Sequence, residues 1–284
     1  MTLGEAVAVG ARLLEEGGVE APRREAVYLV RALCGVDPRL DPARTLDPEQ
    51  LARCLEAFAR RREREPFAYV VGRREFWDLD LEVPRGVFVP RPETELVVER
   101  ALAHLPAGGR AADLGTGSGA IAVALAVACP GLRVDATDVD PTALQVAAAN
   151  ARRHGVADRV RLLAGDLWAA LPREAMGRYD LVASNPPYVD AAAWEGLEPE
   201  VCRWEPRHAL VPERGWLELY RDLTEGAARW LAPGGWLVLE VGLGQAEAVA
   251  ACCRTAGLEA VAIWPDLAGI PRVVEAARPC ARGG

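Results

Sequence analysis

A proline-rich corner, Asn185-Pro186-Pro187-Tyr188, carries the residue types best suited to chemistry in this chain. Each proline locks its own φ, and Pro186 also restricts the backbone of Asn185, so the corner is stiff. We expect the Asn185 side-chain oxygen and the Pro186 carbonyl to accept hydrogen bonds from the two hydrogens of an amino group. Tyr188 could lie against the plane of the substrate. Two fixed acceptors orient a planar amide or amino nitrogen toward an electrophilic methyl group and stabilise the positive charge that develops there.

A glycine-rich segment, Gly115-Thr116-Gly117-Ser118-Gly119, could bind the molecule that carries such a group. Glycines at a turn let the backbone bend sharply and let a ligand approach without a Cβ in the way. The same spacing fits the dinucleotide-binding pattern, and glycine spacing alone is a weak signal. The segment follows a predicted strand and opens a predicted helix, which favours a nucleotide-type ligand.

Acidic and aromatic residues after the next two predicted strands could hold the rest of a nucleoside. Asp138 lies where an acid that accepts hydrogen bonds from ribose hydroxyls is expected. Asp166 could bind the amino group of adenine, and Trp168 could cover the face of the ring. By strand alternation Asp135 should face away, and Asp140 is suited to capping a helix.

These residues must be positioned by the elements between them, and from about residue 101 short apolar strands alternate with helical stretches. The predicted strands are 111–114, 132–137, 160–163, 181–184, 236–241, 260–264 and 272–276, and the predicted helices are 120–128, 142–154, 217–231 and 245–256. Such alternation predicts an α/β, Rossmann-like fold, with a mostly parallel seven-stranded sheet and helices on both faces. No helix separates the last two strands, so one should be antiparallel. Ligands of such sheets bind beyond the carboxyl ends of the strands, where the corner should face the glycine loop.

The residues before that domain divide into two further segments. Residues 1–65 show apolar residues at three- and four-residue spacing, which predicts a small N-terminal helical bundle. Residues 66–92 alternate in part between apolar and acidic side chains. This pattern predicts a β-hairpin linker with Pro84-Arg85-Gly86 as its turn, and residues 93–284 then form the ligand-binding domain.

Composition excludes several other classes of protein. The 284 residues carry a net charge of -8, whereas proteins that bind duplex DNA usually have a basic excess. Seven cysteines without a CxxC pair, and three scattered histidines, suggest neither a metal site nor a disulfide framework. We find no apolar run of roughly 20 residues and no signal-peptide pattern, so we expect a cytoplasmic protein without a membrane partner.

Together these motifs resemble those of the glutamine N5-methyltransferases that modify peptide chain release factors. The resemblance covers nearly the whole chain, from the helical N-terminal segment through the glycine loop and the proline corner. It also includes Gly72-Arg73-Arg74-Glu75-Phe76-Trp77, Pro90-Arg91-Pro92-Glu93-Thr94-Glu95, Glu205-Pro206, Ala209-Leu210 and Asp266-Leu267-Ala268-Gly269-Ile270-Pro271-Arg272.

The resemblance implies a class I methyltransferase fold with S-adenosylmethionine as the methyl donor. The implied substrate is the glutamine of the Gly-Gly-Gln loop in class 1 release factors, with the N-terminal bundle in contact with the release factor. It also implies that the proline corner grips the glutamine amide, and that Arg91 and Glu93 lie near the pocket. The implied cofactor contacts are Gly115 to Gly119, Asp138, Trp168 and Asn185.

Three other functions remain compatible with parts of the sequence. An adenine N6-methyltransferase acting on DNA or RNA would use the same corner, because an exocyclic amine offers the same two hydrogens. Such an enzyme must extrude a base and grip a strand, and no target-recognition domain is evident here. A nicotinamide-dependent oxidoreductase would leave the corner without a role. A cofactor-binding protein that has lost catalysis is hard to reconcile with an intact Asn185.

Overall fold

The computed structural model describes residues 1–280, which form two compact units. The first unit comprises Met1–Arg73 and Leu197–Trp204, and the second comprises residues 74–196 and those from 205 onward. Sequence reasoning placed the boundary near residue 65 and did not assign Leu197–Trp204 to the helical unit. Across residues 1–280, no helix combines the length and apolar character needed to cross a bilayer.

The helices and strands of the described residues follow one another in two groups. The helices are α1 (Leu3–Glu16), α2 (Pro22–Cys34), α3 (Pro48–Arg62), α4 (Phe67–Val71), α5 (Glu95–His104), α6 (Ala120–Ala128), α7 (Pro141–Arg153), α8 (Pro199–Cys202), α9 (Trp216–Trp230) and α10 (Ala246–Thr255). The strands are β1 (Arg73–Phe76), β2 (Leu79–Glu82), β3 (Arg110–Leu114), β4 (Arg133–Asp138), β5 (Val160–Ala164), β6 (Tyr179–Ser184), β7 (Leu231–Glu240), β8 (Glu259–Pro265) and β9 (Pro271–Ala277).

The first unit is a helical bundle built from the apolar faces of α1, α2 and α3. Capping boxes begin α1 at Thr2 and α3 at Asp47, where each side chain accepts a hydrogen bond from the backbone three residues later. The helices bury a common core that includes Leu3, Leu29 and Phe58. The short helix α4, which the sequence pattern did not predict, follows Pro66.

A buried cation in this bundle is paired with two carboxylates. Arg61 is only 5% exposed, and its guanidinium lies 2.7 Å from Glu25 and 2.8 Å from Glu200. Arg64 contacts the other oxygen of Glu200 at 2.6 Å and also donates to the Gly18 carbonyl. These ion pairs fix Leu197–Trp204 to the helical unit, although α8 is distant from it in sequence.

The predicted hairpin exists, but the expected position of its turn is wrong. β1 and β2 pair through a two-residue turn at Trp77 and Asp78, whose φ angles are 50° and 57°. Positive φ at both central residues is the type I′ pattern of two-residue hairpin loops, whose backbone twist matches the twist of the strands. Pro84-Arg85-Gly86 lies beyond the end of β2.

The second unit contains a seven-stranded sheet in the order β5-β4-β3-β6-β7-β9-β8. Neighbouring strands from β5 to β7 are parallel, while β9 is antiparallel to both β7 and β8. This confirms the predicted mostly parallel sheet and its antiparallel strand. The parallel strands bring the loops after β3, β4, β5 and β6 to one edge, where the predicted site residues lie.

Candidate functional site

A cavity opens at the carboxyl edge of the parallel strands and collects most of the predicted site residues. Those in its wall are Gly115, Thr116, Gly117, Ser118, Asp138, Asp166, Asn185 and Pro187. The segment before α5 supplies further wall residues, namely Gly86, Val87, Phe88, Pro90 and Thr94. Gly119, Pro186, Tyr188, Arg91, Glu93 and Trp168, which were also predicted, lie outside this wall.

The glycine loop has the open backbone that the sequence predicts. Gly115 and Gly117 adopt φ angles of 72° and 56°, and a Cβ added at either position would meet nothing within 4 Å. The backbone N–H groups of Gly115 and Thr116 donate to the Thr137 carbonyl at 2.9 and 2.8 Å, which ties the loop to β4. The loop is therefore anchored on one side and open toward the cavity on the other.

Asp138 supports this loop as well as lining the cavity. One carboxylate oxygen accepts from the backbone N–H of Gly117 at 2.8 Å, and the other accepts from that of Asp140 at 2.9 Å. Asp140 caps α7 by accepting from Thr142, as expected. Asp135 instead pairs with Arg110 and Arg161 away from the cavity wall. Asp138, at the end of β4, thus holds the glycine loop and also lines the cavity as the predicted ribose-binding acid.

Asp113 lies beneath the loop, and sequence reasoning did not assign it a role. It is fully buried in β3, where one oxygen accepts from the Thr116 hydroxyl at 2.6 Å and from the Ala122 backbone at 3.1 Å. Burial raises its pKa to about 7 despite these hydrogen bonds. The available signal was an acidic residue in an otherwise apolar strand.

The proline corner is held beside the glycine loop by one side-chain hydrogen bond. The Ser184 hydroxyl, directly before Asn185, donates to the Leu114 carbonyl at 2.6 Å. Leu114 directly precedes the first glycine of the loop, so the ends of β3 and β6 are joined at the cavity. The predicted meeting of corner and loop is therefore present in the structure.

A buried chain of hydrogen bonds begins at the Asn185 side chain. Its Nδ2 donates to the Thr94 hydroxyl oxygen at 3.0 Å, and that hydroxyl donates to Glu240 Oε2 at 2.6 Å. The Tyr188 hydroxyl donates to Glu240 Oε1 at 3.1 Å, and the Tyr220 hydroxyl donates to the Glu240 backbone carbonyl at 2.7 Å. Glu240 is 1% exposed, and this burial raises its pKa to about 7. Sequence reasoning missed Thr94 and Glu240, although Glu240 is the one acid in the apolar run 236–241.

Tyr188 is tethered at both its side chain and its backbone. Besides the bond to Glu240, its carbonyl accepts from Gln245 Nε2 at 2.9 Å, and Gln245 Oε1 accepts from the Gly242 backbone at 3.0 Å. Burial raises the pKa of its hydroxyl. The predicted packing of Tyr188 against a substrate, and the predicted acceptor role of the buried Pro186, stay predictions.

Arg91 acts on the cavity through its neighbours. Its guanidinium forms an ion pair with the buried Glu205 and lies 4.9 Å from the centre of the Phe88 ring, which lines the cavity. Glu205 also accepts from the Val89 backbone at 3.1 Å, so it fixes the segment that carries Phe88. Glu93 is half-buried outside the wall.

Leu167 occupies the place in the wall that the sequence suggested for Trp168. Leu167 adopts a φ of 42° and lines the cavity beside Asp166. The Trp168 indole N–H donates to the Asp222 carbonyl in α9 at 3.1 Å, and its ring stacks on Trp230 at 6.1 Å. Trp168 therefore lies outside the wall, because α9 satisfies both its polar and its apolar parts, and its predicted contact with an adenine ring stays a prediction.

Comparisons with known proteins show which families and structures the chain is similar to. The PrmC N-terminal domain family matches residues 5–72, and the methyltransferase small domain family matches residues 91–197. The release factor glutamine methyltransferase of Geobacter sulfurreducens is 42% identical over 92% of this chain and 91% of its own length. That of Cereibacter sphaeroides is 42% identical over 99% of this chain and 100% of its own length. A methyltransferase structure from Pyrococcus furiosus shares the fold at a TM-score of 0.54 and 20% identity, covering 82% of this chain and 100% of its own.

Proposed function

We propose that this chain, which belongs to the release factor glutamine methyltransferase family, methylates the side-chain amide nitrogen (N5) of a release-factor glutamine. Membership of the family is shown by relatives 42% identical over more than nine-tenths of the chain. The target is the glutamine of the Gly-Gly-Gln loop in class 1 peptide chain release factors. The observation that carries the proposal is Asn185 in the cavity wall, joined through Ser184 to the glycine loop.

The cavity fits S-adenosylmethionine, the cofactor of this enzyme. Gly115 and Gly117 leave open space where side chains would otherwise project. Asp138 and Asp166 offer acceptors for ribose hydroxyls and for an adenine amino group, and Leu167 offers an apolar surface for the ring. When bound, the cofactor supplies an electrophilic methyl group.

The chain's own residues overcome the low reactivity of an amide nitrogen. Its lone pair is delocalised into the carbonyl, so the nitrogen must be held in a productive orientation. Asn185 Oδ1 and the Pro186 carbonyl would each accept one hydrogen of the amide and stabilise the positive charge that develops on the nitrogen. Placing the nitrogen in line with the methyl group contributes on the order of 7–11 kcal/mol to lowering the barrier.

The remaining assignments follow from the proposed substrate. The helical unit would contact the release factor, and Arg91 and Glu93 would lie near the bound loop. A substrate that works on ribosomes places the enzyme in the cytoplasm. We retain the division into residues 1–65, 66–92 and 93–284 as a functional proposal: substrate-binding domain, linker and methyltransferase domain.

The proposal is tested by methyl transfer from labelled S-adenosylmethionine to a purified class 1 release factor. We expect label on the intact factor and none on a variant whose loop glutamine is replaced by alanine. DNA and RNA serve as competing substrates in the same assay, because an adenine amine offers the same two hydrogens. Label on adenine, or glutamine-independent label on the factor, would contradict the proposal.

A further inference from the structure

We infer that Thr94 and Glu240 are positioning residues that hold the Asn185 amide with its oxygen, rather than its nitrogen, toward the substrate. This inference rests on the proposed function, since it concerns how Asn185 receives the amide of a glutamine. It adds two residues that neither sequence reasoning nor the proposed chemistry had assigned a role.

An asparagine side chain has nearly the same shape in its two flipped orientations, yet these present opposite hydrogen-bonding groups. One orientation offers an acceptor, and the other offers an N–H₂ donor. A substrate amide presents two N–H groups, so a flipped Asn185 would set donor against donor. A site that depends on this oxygen therefore needs neighbours that fix the orientation.

Glu240 is the fixed end of the chain that does this. Above its pKa of about 7 the carboxylate is ionised and has no proton to donate, so any hydroxyl within hydrogen-bond distance must donate to it. Thr94 does so at 2.6 Å and Tyr188 at 3.1 Å, one to each carboxylate oxygen. The Thr94 proton is therefore committed to Glu240.

Thr94 passes this constraint on to Asn185. With its only proton committed, the Thr94 oxygen can act toward Asn185 only as an acceptor. The Asn185 atom that lies 3.0 Å from it must then be Nδ2. Within residues 1–280 this is the hydrogen bond formed by the Asn185 side chain, which leaves Oδ1 available in a residue that lines the cavity.

The Glu240 carboxylate is surrounded by hydroxyl donors rather than by a cation. In the described part of the chain, no cation lies within 4 Å of it, and Arg272 is paired instead with Asp266 at 3.1 Å. A buried carboxylate without a cation is costly, and an apolar residue would fill the same space more favourably. Only a charged acceptor fixes both hydroxyl protons.

Two variants break the chain at different points and are measured at pH 8, above the pKa of about 7 of Glu240. Thr94→Val removes the hydroxyl at nearly constant volume. Glu240→Gln supplies an N–H₂ group that can donate to Thr94 and free the threonine proton for the Asn185 oxygen. We expect each to lower turnover of the release factor about 10- to 100-fold, because small misplacements of a reacting group cost that much. Cofactor affinity, measured by calorimetry, should stay within about twofold, because a tenfold loss would correspond to about 1.4 kcal/mol of lost binding.

Two control variants separate orientation from packing. Thr94→Ser restores the hydroxyl and should recover most of the turnover lost in Thr94→Val. Thr224→Val makes the same substitution at a buried threonine whose hydroxyl bonds the Arg221 carbonyl within α9, and it should keep normal turnover. Normal turnover in Thr94→Val, or loss accompanied by loss of cofactor affinity, would overturn the inference.

A spectroscopic measurement decides the inference even if release factor is not the substrate. The chain has two asparagines, Asn150 and Asn185, so labelling asparagine with ¹⁵N gives two side-chain amide signals. Asn150 is an internal reference, since its Nδ2 donates to the Glu82 and Ser118 carbonyls and its Oδ1 accepts from the Glu82 backbone.

We expect the Asn185 signal to shift in Thr94→Val and in Glu240→Gln and to return in Thr94→Ser, while the Asn150 signal stays in place. An unchanged Asn185 signal in a folded variant would refute the positioning role. If Thr94→Val does not fold, the Asn150 signal reports it and Glu240→Gln gives the decision. Failure of the proposed function would appear separately, as absence of methyl transfer by the unmodified enzyme.

Discussion

Arg61 in the helical unit and two carboxylates at the carboxyl edge of the sheet differ in whether their buried charge has a charged partner. In the helical unit, the buried Arg61 is matched by Glu25 and Glu200. At the carboxyl edge, Asp113 and Glu240 are wholly buried, and no cation within residues 1–280 lies within 4 Å of either. A matched pair of charges fixes one element against another. Carboxylates without a cation have a pKa raised by burial, and they order the hydroxyls and backbone around a cavity. The first arrangement holds elements together, and the second orders groups beside the cavity.

The largest effect should come from removing the side chain that this edge orders. We expect Asn185→Ala to lower turnover of the release factor about 100- to 1000-fold, as for deletion of one preorganised polar group. Steady-state kinetics with labelled cofactor measure it. Near-normal turnover would contradict the role of Asn185 in the reaction. It would also contradict the functional contrast between the two regions.

In the helical unit the corresponding effect should fall on stability. Arg61→Met leaves Glu25 without its cation and Glu200 with Arg64 alone, and we expect the free energy of unfolding to fall by about 3 kcal/mol. Arg62→Met is the matched control, because Arg62 is 45% exposed and its ion pairs are 3.6 to 3.8 Å long. It should cost less than about 1 kcal/mol. Equal losses in denaturant unfolding of the two variants would show that the buried pair is no stronger than a surface pair.

Glu240 should make the protein less stable as pH rises. Its pKa in the folded protein is about 7, above its ordinary value of 4.5. Between these values the folded chain keeps a proton that the unfolded chain has lost, so the free energy of unfolding falls as pH increases through this interval. Glu240→Gln should remove a fall on the order of 3 kcal/mol. Parallel pH profiles for the two proteins would mean that Glu240 ionises normally.

The smallest effect should come from replacing Asp138, whose carboxylate accepts a hydrogen bond from the backbone N–H of Gly117. We expect Asp138→Ala to weaken cofactor binding about tenfold and to slow the chemical step less, because it removes a charged acceptor and the Gly117 bond. Calorimetry and single-turnover kinetics separate the two quantities. The exposed Asp158 provides a control, and Asp158→Ala should bind cofactor normally. Unchanged affinity in Asp138→Ala would exclude it from the cofactor site.

Elements with a clear hydrophobic period were predictable from the sequence. The predicted helix 120–128 coincides with α6, and the predicted strands lie within a few residues of β3 to β9, except that β7 begins five residues earlier, at Leu231 rather than 236. The antiparallel strand also followed from local information, because no helix separates β8 from β9. Glycine and proline motifs located the cavity for the same reason: their backbone constraints are local.

Features that depend on tertiary partners could not be predicted. The position of the hairpin turn was predicted wrongly, because Trp77-Asp78 is not a residue pair typical of such turns. Their positive φ angles depend on the pairing of β1 with β2. The contact of Trp168 with α9 could not be predicted either, because its partner Asp222 is 54 residues away in the sequence. Thr94 and Glu240 are 146 residues apart, and no local pattern reports that their side chains meet.

The position of β9 has a consequence for biosynthesis. β9 is made after β8 but lies between β7 and β8, antiparallel to both. On the ribosome, β7 therefore keeps an open edge until Pro271–Ala277 emerges, and such edges invite aggregation. Glu240 pairs with Val273 of that strand, so the carboxylate that orders Asn185 is enclosed only once these late residues have joined. A nascent chain stalled before β9 would carry the glycine loop and the proline corner without the enclosed Glu240 carboxylate that orders Asn185.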